Sequence, residues 1–216
     1  MFLSSTNRIL FNTIATYSCS LLRLVAGIFS CRWGLMALGN SDYGLLGLIV
    51  GFTNFITFFN TLFSGAIGRF FAYSIGKARK GTDKENEDEC CKWFNIALMI
   101  HSIIPFLLLS VGYPLGVYAV KHWLTIPPER IGDCIWVFRF VCIMVLFNMI
   151  TVPYVAMYTA KQYIAELTGY HIASIILNLI FLYMMTNIPR DWFVYYSLWT
   201  CLLSILPQIA ISFRAM

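Results

Sequence analysis

The sequence predicts an all-α fold: a polytopic membrane helix bundle of six transmembrane helices. Three observations carry that reading. First, 59% of the 216 residues are hydrophobic and only 12% are charged, where a soluble domain carries about 25% charged residues. A globule of this size has too much surface to hide so apolar a composition. Second, the apolar residues form long unbroken runs. From Tyr43 to Ile67 there are 25 residues without a charge, about 37 Å of helix, enough to cross a bilayer with some tilt. Third, charges cluster between the runs, as Arg69, Lys77, Arg79 and Lys80 do immediately afterwards. Lipid offers no partner to open backbone groups, so spans this apolar are helices.

Taken in order, the first span is Ile9–Ser30, interrupted only by Arg23. Its apolar run of about 22 residues exceeds the h-region of a cleavable signal, so it is expected to remain as a span. The second is Tyr43–Ile67. The third is Phe94–Val120, uncharged, with Pro105 and Pro114 as expected kinks. The fourth, Ile135–Tyr158, carries Arg139 and Pro153. Before it, Pro127-Pro128 stops any helix and Pro128-Glu129-Arg130 suits the start of the next. The fifth is Leu167–Met185 and the sixth Trp192–Phe213, with Pro207 inside. The longest connector, Gly76–Lys92, mixes lysines with Asp83, Glu85, Glu87, Asp88 and Glu89 and reads as a solvated loop. No repeat and no soluble domain is visible, so residues 1–216 read as one six-helix lobe.

Orientation follows from lysine and arginine. With the N-terminus inside, the cytoplasmic segments hold nine (Arg8, Arg69, Lys77, Arg79, Lys80, Lys84, Lys92, Lys161, Arg214) and the outer ones four (Arg32, Lys121, Arg130, Arg190). Cytoplasmic loops carry the excess, which places the N-terminus in the cytoplasm. Trp33, Tyr43, Trp123, Trp136 and Trp192 then mark the outer interface, and Tyr73, Trp93 and Tyr158 the inner one.

Four spans have a polar face at helical spacing. In the first the row is Asn12, Thr16, Ser20, Arg23, Gly27 and Ser30; in the second Gly47, Gly51, Asn54, Thr57, Thr61, Ser64 and Gly68. In the fifth it is His171, Ser174 and Asn178, and in the sixth Tyr196, Thr200, Ser204 and Gln208. Such rows either glue helices together or line a shared aqueous cavity, and on both accounts they are expected to look inward. Arg23 lies about 21 Å into its helix, at a depth where a guanidinium costs at least about 2.5–3.5 kcal/mol. Arg139 lies about one turn inside its span, where it either snorkels to the headgroups or faces the cavity.

None of the ten acidic residues falls within a span. A cation-coupled pump usually needs an intramembrane carboxylate to bind and release its ion. A cavity biased to positive charge suits an anionic substrate instead, since arginine binds phosphate through a bidentate fork. The net charge of +5 does not indicate nucleic acid, because the basic residues lie between apolar spans rather than on one soluble face. The seven cysteines show no metal-ligand spacing, and Cys90-Cys91 in the connector are expected as reduced thiols. No nucleophile elbow, zinc-protease or P-loop motif is present, so neither an enzyme nor a cofactor is expected.

The run Leu38-Gly39 with Asp42-Tyr43-Gly44-Leu45, followed by Gly65, Arg69-Phe70 and Gly76-Lys77, resembles polysaccharide flippases of the superfamily that includes the MATE transporters. Ile126-Pro127-Pro128-Glu129-Arg130 and Thr151-Val152-Pro153-Tyr154 are similar to Bacteroidetes members of that group. The resemblance implies one lobe of a two-lobe alternating-access transporter in a bacterial cytoplasmic membrane. It implies a lipid-linked anionic oligosaccharide as cargo, membrane lipids around it, and a second six-helix lobe or polysaccharide assembly proteins as partners. The pyrophosphate would then meet Arg23, with Arg139, and the sugar would sample Asn12, Thr16, Asn54, Thr57, Thr61, His171 and Asn178. A cation-coupled drug or metabolite antiporter of MATE type and a non-transporting membrane scaffold for polysaccharide assembly are the alternatives.

Overall fold

Gly39 sets the geometry of the first third of the chain. Its φ of 77° and ψ of 167° lie in a region that only glycine occupies without strain. It interrupts a single assigned helix, α1 (Ser5–Ala78), dividing it into arms 5–38 and 40–78. The computed structural model describes the backbone of residues 5–78 and 83–215. Within it, the side chains of 5–6, 8, 52–57, 59–64, 74–75, 77–78, 83–90 and 213–215 lie outside the description.

The two arms run in opposite directions. A straight helix would put Asn12 and Phe71 about 90 Å apart. Instead Asn12 bonds to Gln162, and Phe71 packs on Ala156 and Met157, a few residues earlier in the chain. At the far end of the molecule Trp33 meets Tyr183 and Asp42 meets Arg130. Gly34 allows the arms to close there: a Cβ on it would lie 2.7 Å from the Tyr43 ring.

The remaining elements are α2 (Asp83–His122), a 3₁₀ turn (Pro128–Arg130), α3 (Ile131–Ile150), α4 (Val152–Ala160), α5 (Ile164–Asn187) and α6 (Phe193–Ala215). The 3₁₀ turn begins at Pro128 and leads into α3, as the diproline predicts. The expected fourth span is divided at Thr151, just before Pro153, whose missing N–H removes one helical hydrogen bond. By contrast, Pro105 and Pro114 sit inside α2 without ending it. The connector read as a loop at Gly76–Lys92 is largely helical: α1 continues through Ala78 and α2 starts at Asp83. The acidic residues at the start of α2 suit a helix N-terminus, where negative charge is favourable.

Among the described residues, five helical segments are long and apolar enough to cross a membrane: Ile9–Gly51, Cys91–His122, Pro128–Ile150, Ile164–Asn187 and Phe193–Ser212. The chain is an all-helical, multi-pass membrane bundle. The first of these segments runs through Gly39 into the second arm, where much of the expected span, Tyr43–Ile67, lies outside the residues whose side chains are described. Large apolar side chains such as Leu21, Leu24, Ile28, Leu107, Val111, Ile180 and Leu206 stand exposed on the outside. A bilayer accommodates such a surface without cost.

The main apolar core lies toward the Arg130 end. Leu46, Ile49, Val120, Val137, Phe138, Leu182, Met185 and Phe193 pack there from five helices. Arg130 closes that end, bonding to Asp42 at 2.7 Å, Asp133 at 3.1 Å and Asp191. It thereby ties α1, α3 and the segment before α6 together. At the opposite end Phe71, Ala97, Ala156 and Met157 form a smaller cluster. Between the two ends the helices do not fill the space uniformly, and a polar cleft opens.

Candidate functional site

Arg23 sits about midway between Asn12 and Trp33, the residues that mark the two ends of the first arm. It lines a cleft of about 310 Å³ whose walls come from four helices. α5 contributes His171, Ser174 and Asn178, the row predicted for the fifth span. From α6 come Thr200, Ser204 and Gln208, three of the four residues predicted for the sixth. α3 contributes Asn148. Among the described residues no carboxylate lines the cleft and Arg23 forms no salt bridge.

The far wall is tied together by a directional chain of hydrogen bonds. Asn148 Nδ2 donates to the Met144 carbonyl at 2.8 Å and to Ser204 Oγ at 3.0 Å. Gln208 Nε2 donates to Asn148 Oδ1 at 3.2 Å. On α5, Ser174 Oγ donates to Tyr170 O at 3.1 Å. Asn178 Oδ1 and Gln208 Oε1 are buried oxygens with no hydrogen-bond partner among the described residues. An unsatisfied buried acceptor costs about 1–3 kcal/mol. Chemically, the cleft offers a guanidinium and an imidazole, then amides and hydroxyls, in one recess.

The expected site residues do not all gather there. Arg23, His171 and Asn178 line the cleft. Arg139 does not: its Nε donates to the Tyr113 hydroxyl at 3.0 Å, and its guanidinium lies 4.6 Å from the Trp136 ring centroid. It sits nine positions before Asn148, and at about 100° per residue these two residues occupy opposite faces of α3. The expectation that Arg139 joins Arg23 is therefore corrected. Asn12 is buried and fully used: Nδ2 donates to the Gln162 carbonyl at 3.0 Å, and Oδ1 accepts from the Ala165 amide at 3.1 Å. It pins the α4–α5 turn, where Gln162 has a left-handed φ of 63°. Thr16 is exposed, and its hydroxyl donates back to the Asn12 carbonyl at 2.8 Å. So the first arm's polar row does not turn into the bundle core beyond Asn12; Thr16, Ser20 and Arg23 are exposed. Asn54, Thr57 and Thr61 lie in α1, outside the residues whose side chains are described.

Asn148 is the residue that sequence reasoning missed. It is the one amide in an otherwise apolar stretch of α3, and that isolation was its signal. Ser174, Thr200, Ser204 and Gln208 stood in the predicted rows without being singled out. A second recess of about 320 Å³, lined by Tyr43, Gly47, Tyr196 and Ser197, shares Thr200 with the cleft. The larger recess between α2 and α3, about 370 Å³, is lined by Pro105, Leu108, Gly112, Phe138, Val145 and Met149 and carries no polar chemistry.

Comparison of the chain with protein-family models, with curated proteins and with solved structures finds no match.

Proposed function

We propose that the chain is a lobe of a membrane transporter that passes a lipid-linked anionic oligosaccharide across a bacterial cytoplasmic membrane. The observation that carries the reading is the Arg23 cleft: a guanidinium at mid-depth, among neutral polar groups, with no carboxylate beside it among the described residues. A charge held there is tolerable when a cargo brings the counter-charge. Phosphate does so, and the arginine fork matches it. The same absence of a carboxylate weighs against a cation-coupled antiporter.

In this reading the two arms of α1 cross separately, giving six crossings with the N-terminus in the cytoplasm and the Arg130 end outside. The pyrophosphate engages Arg23 while the lipid tail stays among the helices' apolar outer faces. Movement is alternating access: the lobe rocks against a second helical unit that covers the open side of the cleft. No bond is made or broken. Of the expected residues, Arg23, His171 and Asn178 carry this reading, joined by Asn148, Ser204 and Gln208.

The test is binding of a polyprenyl pyrophosphate to the chain in nanodiscs. Arg23→Gln removes one charge-assisted contact worth about 1.5–3 kcal/mol and should weaken binding roughly 10- to 150-fold. Arg139→Gln, on the opposite face of α3 from the cleft wall, should leave it unchanged. Equal binding by wild type and Arg23→Gln would overturn the proposal.

A further inference from the structure

The hydrogen bonds of the cleft specify which part of a cargo each wall recognises. The Met144 carbonyl can only accept, so the Asn148 atom 2.8 Å from it must be the amide nitrogen. That leaves Asn148 Oδ1 as an acceptor, and the Gln208 atom 3.2 Å away must then be its nitrogen. The orientation of Gln208 is thus fixed by a backbone group two steps away. Its leftover atom is an oxygen, buried and without a donor among the described residues.

We infer that the α5–α6 wall of the cleft is a hydroxyl-reading subsite, with Gln208 as its specificity-determining residue and Asn148 as the positioning residue that aims it. This deepens the proposed function and rests on it. Arg23 supplies donors, and phosphate oxygens accept. Gln208 Oε1 is an acceptor, and a sugar hydroxyl donates. A phosphate with a hydroxyl-bearing ring attached presents both kinds of group within one molecule. A bare lipid phosphate satisfies only the Arg23 side and leaves the buried Gln208 oxygen unpaired. Sites built to bond a hydroxyl discriminate against ligands that lack it, because the orphaned partner remains buried. The chain should therefore distinguish a sugar-bearing lipid pyrophosphate from the naked one.

The experiment measures binding of two ligands to the chain in phosphatidylcholine nanodiscs: a polyprenyl pyrophosphate and the same lipid carrying one hexose. Wild type should bind the hexose form about five- to tenfold more tightly, the effect of one well-made hydrogen bond. Gln208→Leu should abolish that preference, whereas Arg139→Gln, outside the cleft, should keep it; an unshifted thermal midpoint of Gln208→Leu shows that the variant is folded. A series of singly deoxygenated hexoses on the wild-type chain tests the same point without a variant; one analogue should lose the whole preference. Equal binding of both lipids by wild type, or a preference that survives Gln208→Leu, overturns the subsite while leaving the phosphate reading intact. Failure of both lipids to bind, with Arg23→Gln indistinguishable from wild type, overturns the proposed function itself and the subsite with it.

Discussion

Replacing Arg130 by methionine should be among the most destabilising single changes available at the membrane boundary of this protein. The side chain is 26% exposed and reaches three carboxylates on separate segments. Asp42, at 2.7 Å and 12% exposed, is the most buried of them. That charge-assisted bond contributes about 2–3 kcal/mol. Asp133 and Asp191, at 37% and 57% exposed, are solvent-screened and contribute at most about 1 kcal/mol each. Without Arg130, Asp42 remains in place with two like charges nearby, so most of the loss comes from an uncompensated carboxylate. The expected total is about 3–4 kcal/mol. At about 2–4 °C per kcal/mol for a chain of this length, the midpoint should fall by roughly 6–16 °C. Buried thiols provide the assay: Cys134 is 0% and Cys201 5% exposed, so with Cys31, Cys90 and Cys91 replaced by serine a thiol-reactive dye reports unfolding in detergent. Adding Asp42→Asn to Arg130→Met should restore at least half of the loss. An unshifted midpoint for Arg130→Met, or a double variant less stable than the single, would refute the assignment of Arg130 as the clasp.

Further outcomes follow from backbone geometry and from the α4–α5 turn. Gly39→Ala forces a Cβ onto a φ of 77° and should cost about 1–3 kcal/mol, read by the same thiol assay, whereas Gly44→Ala, a helical position with open space, should not. Asn12→Ala removes two hydrogen bonds across the α4–α5 turn and should lower stability by about 1–3 kcal/mol. Gln162→Gly should relieve the left-handed strain at φ 63° and raise the midpoint slightly, provided the Asn12 bond to its carbonyl persists. Arg139→Gln should change stability by less than about 1 kcal/mol, since its contacts with Tyr113 and Trp136 lie near the membrane boundary.

Much of the bundle was legible because a bilayer imposes length and polarity on each span. The fifth and sixth polar rows were read from spacing alone, and both line the cleft. Spacing fails where a position along the helix does not reveal which way the side chain faces. Arg139 looked like a partner for Arg23 because both are intramembrane arginines. Only Asn148, half a turn around α3, shows that Arg139 points elsewhere. Asn12 illustrates the other limit. Its place in a polar row suggested a cavity, yet its amide is committed to Gln162 and Ala165, about 150 residues away in sequence. Helix ends were misjudged for a related reason. Hydropathy falls where charges begin, but hydrogen bonding carries α1 and α2 beyond that point, and a single glycine conformation takes the place of a loop between the first two arms.

The account stands most directly on whether the Arg23 cleft holds water at mid-membrane. Ser174→Cys, placed on the cleft wall of a chain otherwise free of cysteine, decides this when probed in native membranes with a membrane-impermeant thiosulfonate. The account predicts modification from at least one side, slowed when lipid-linked oligosaccharide pyrophosphate is added. Reaction with a lipid-soluble maleimide alone, with no access from water on either side and no protection by the ligand, would contradict it.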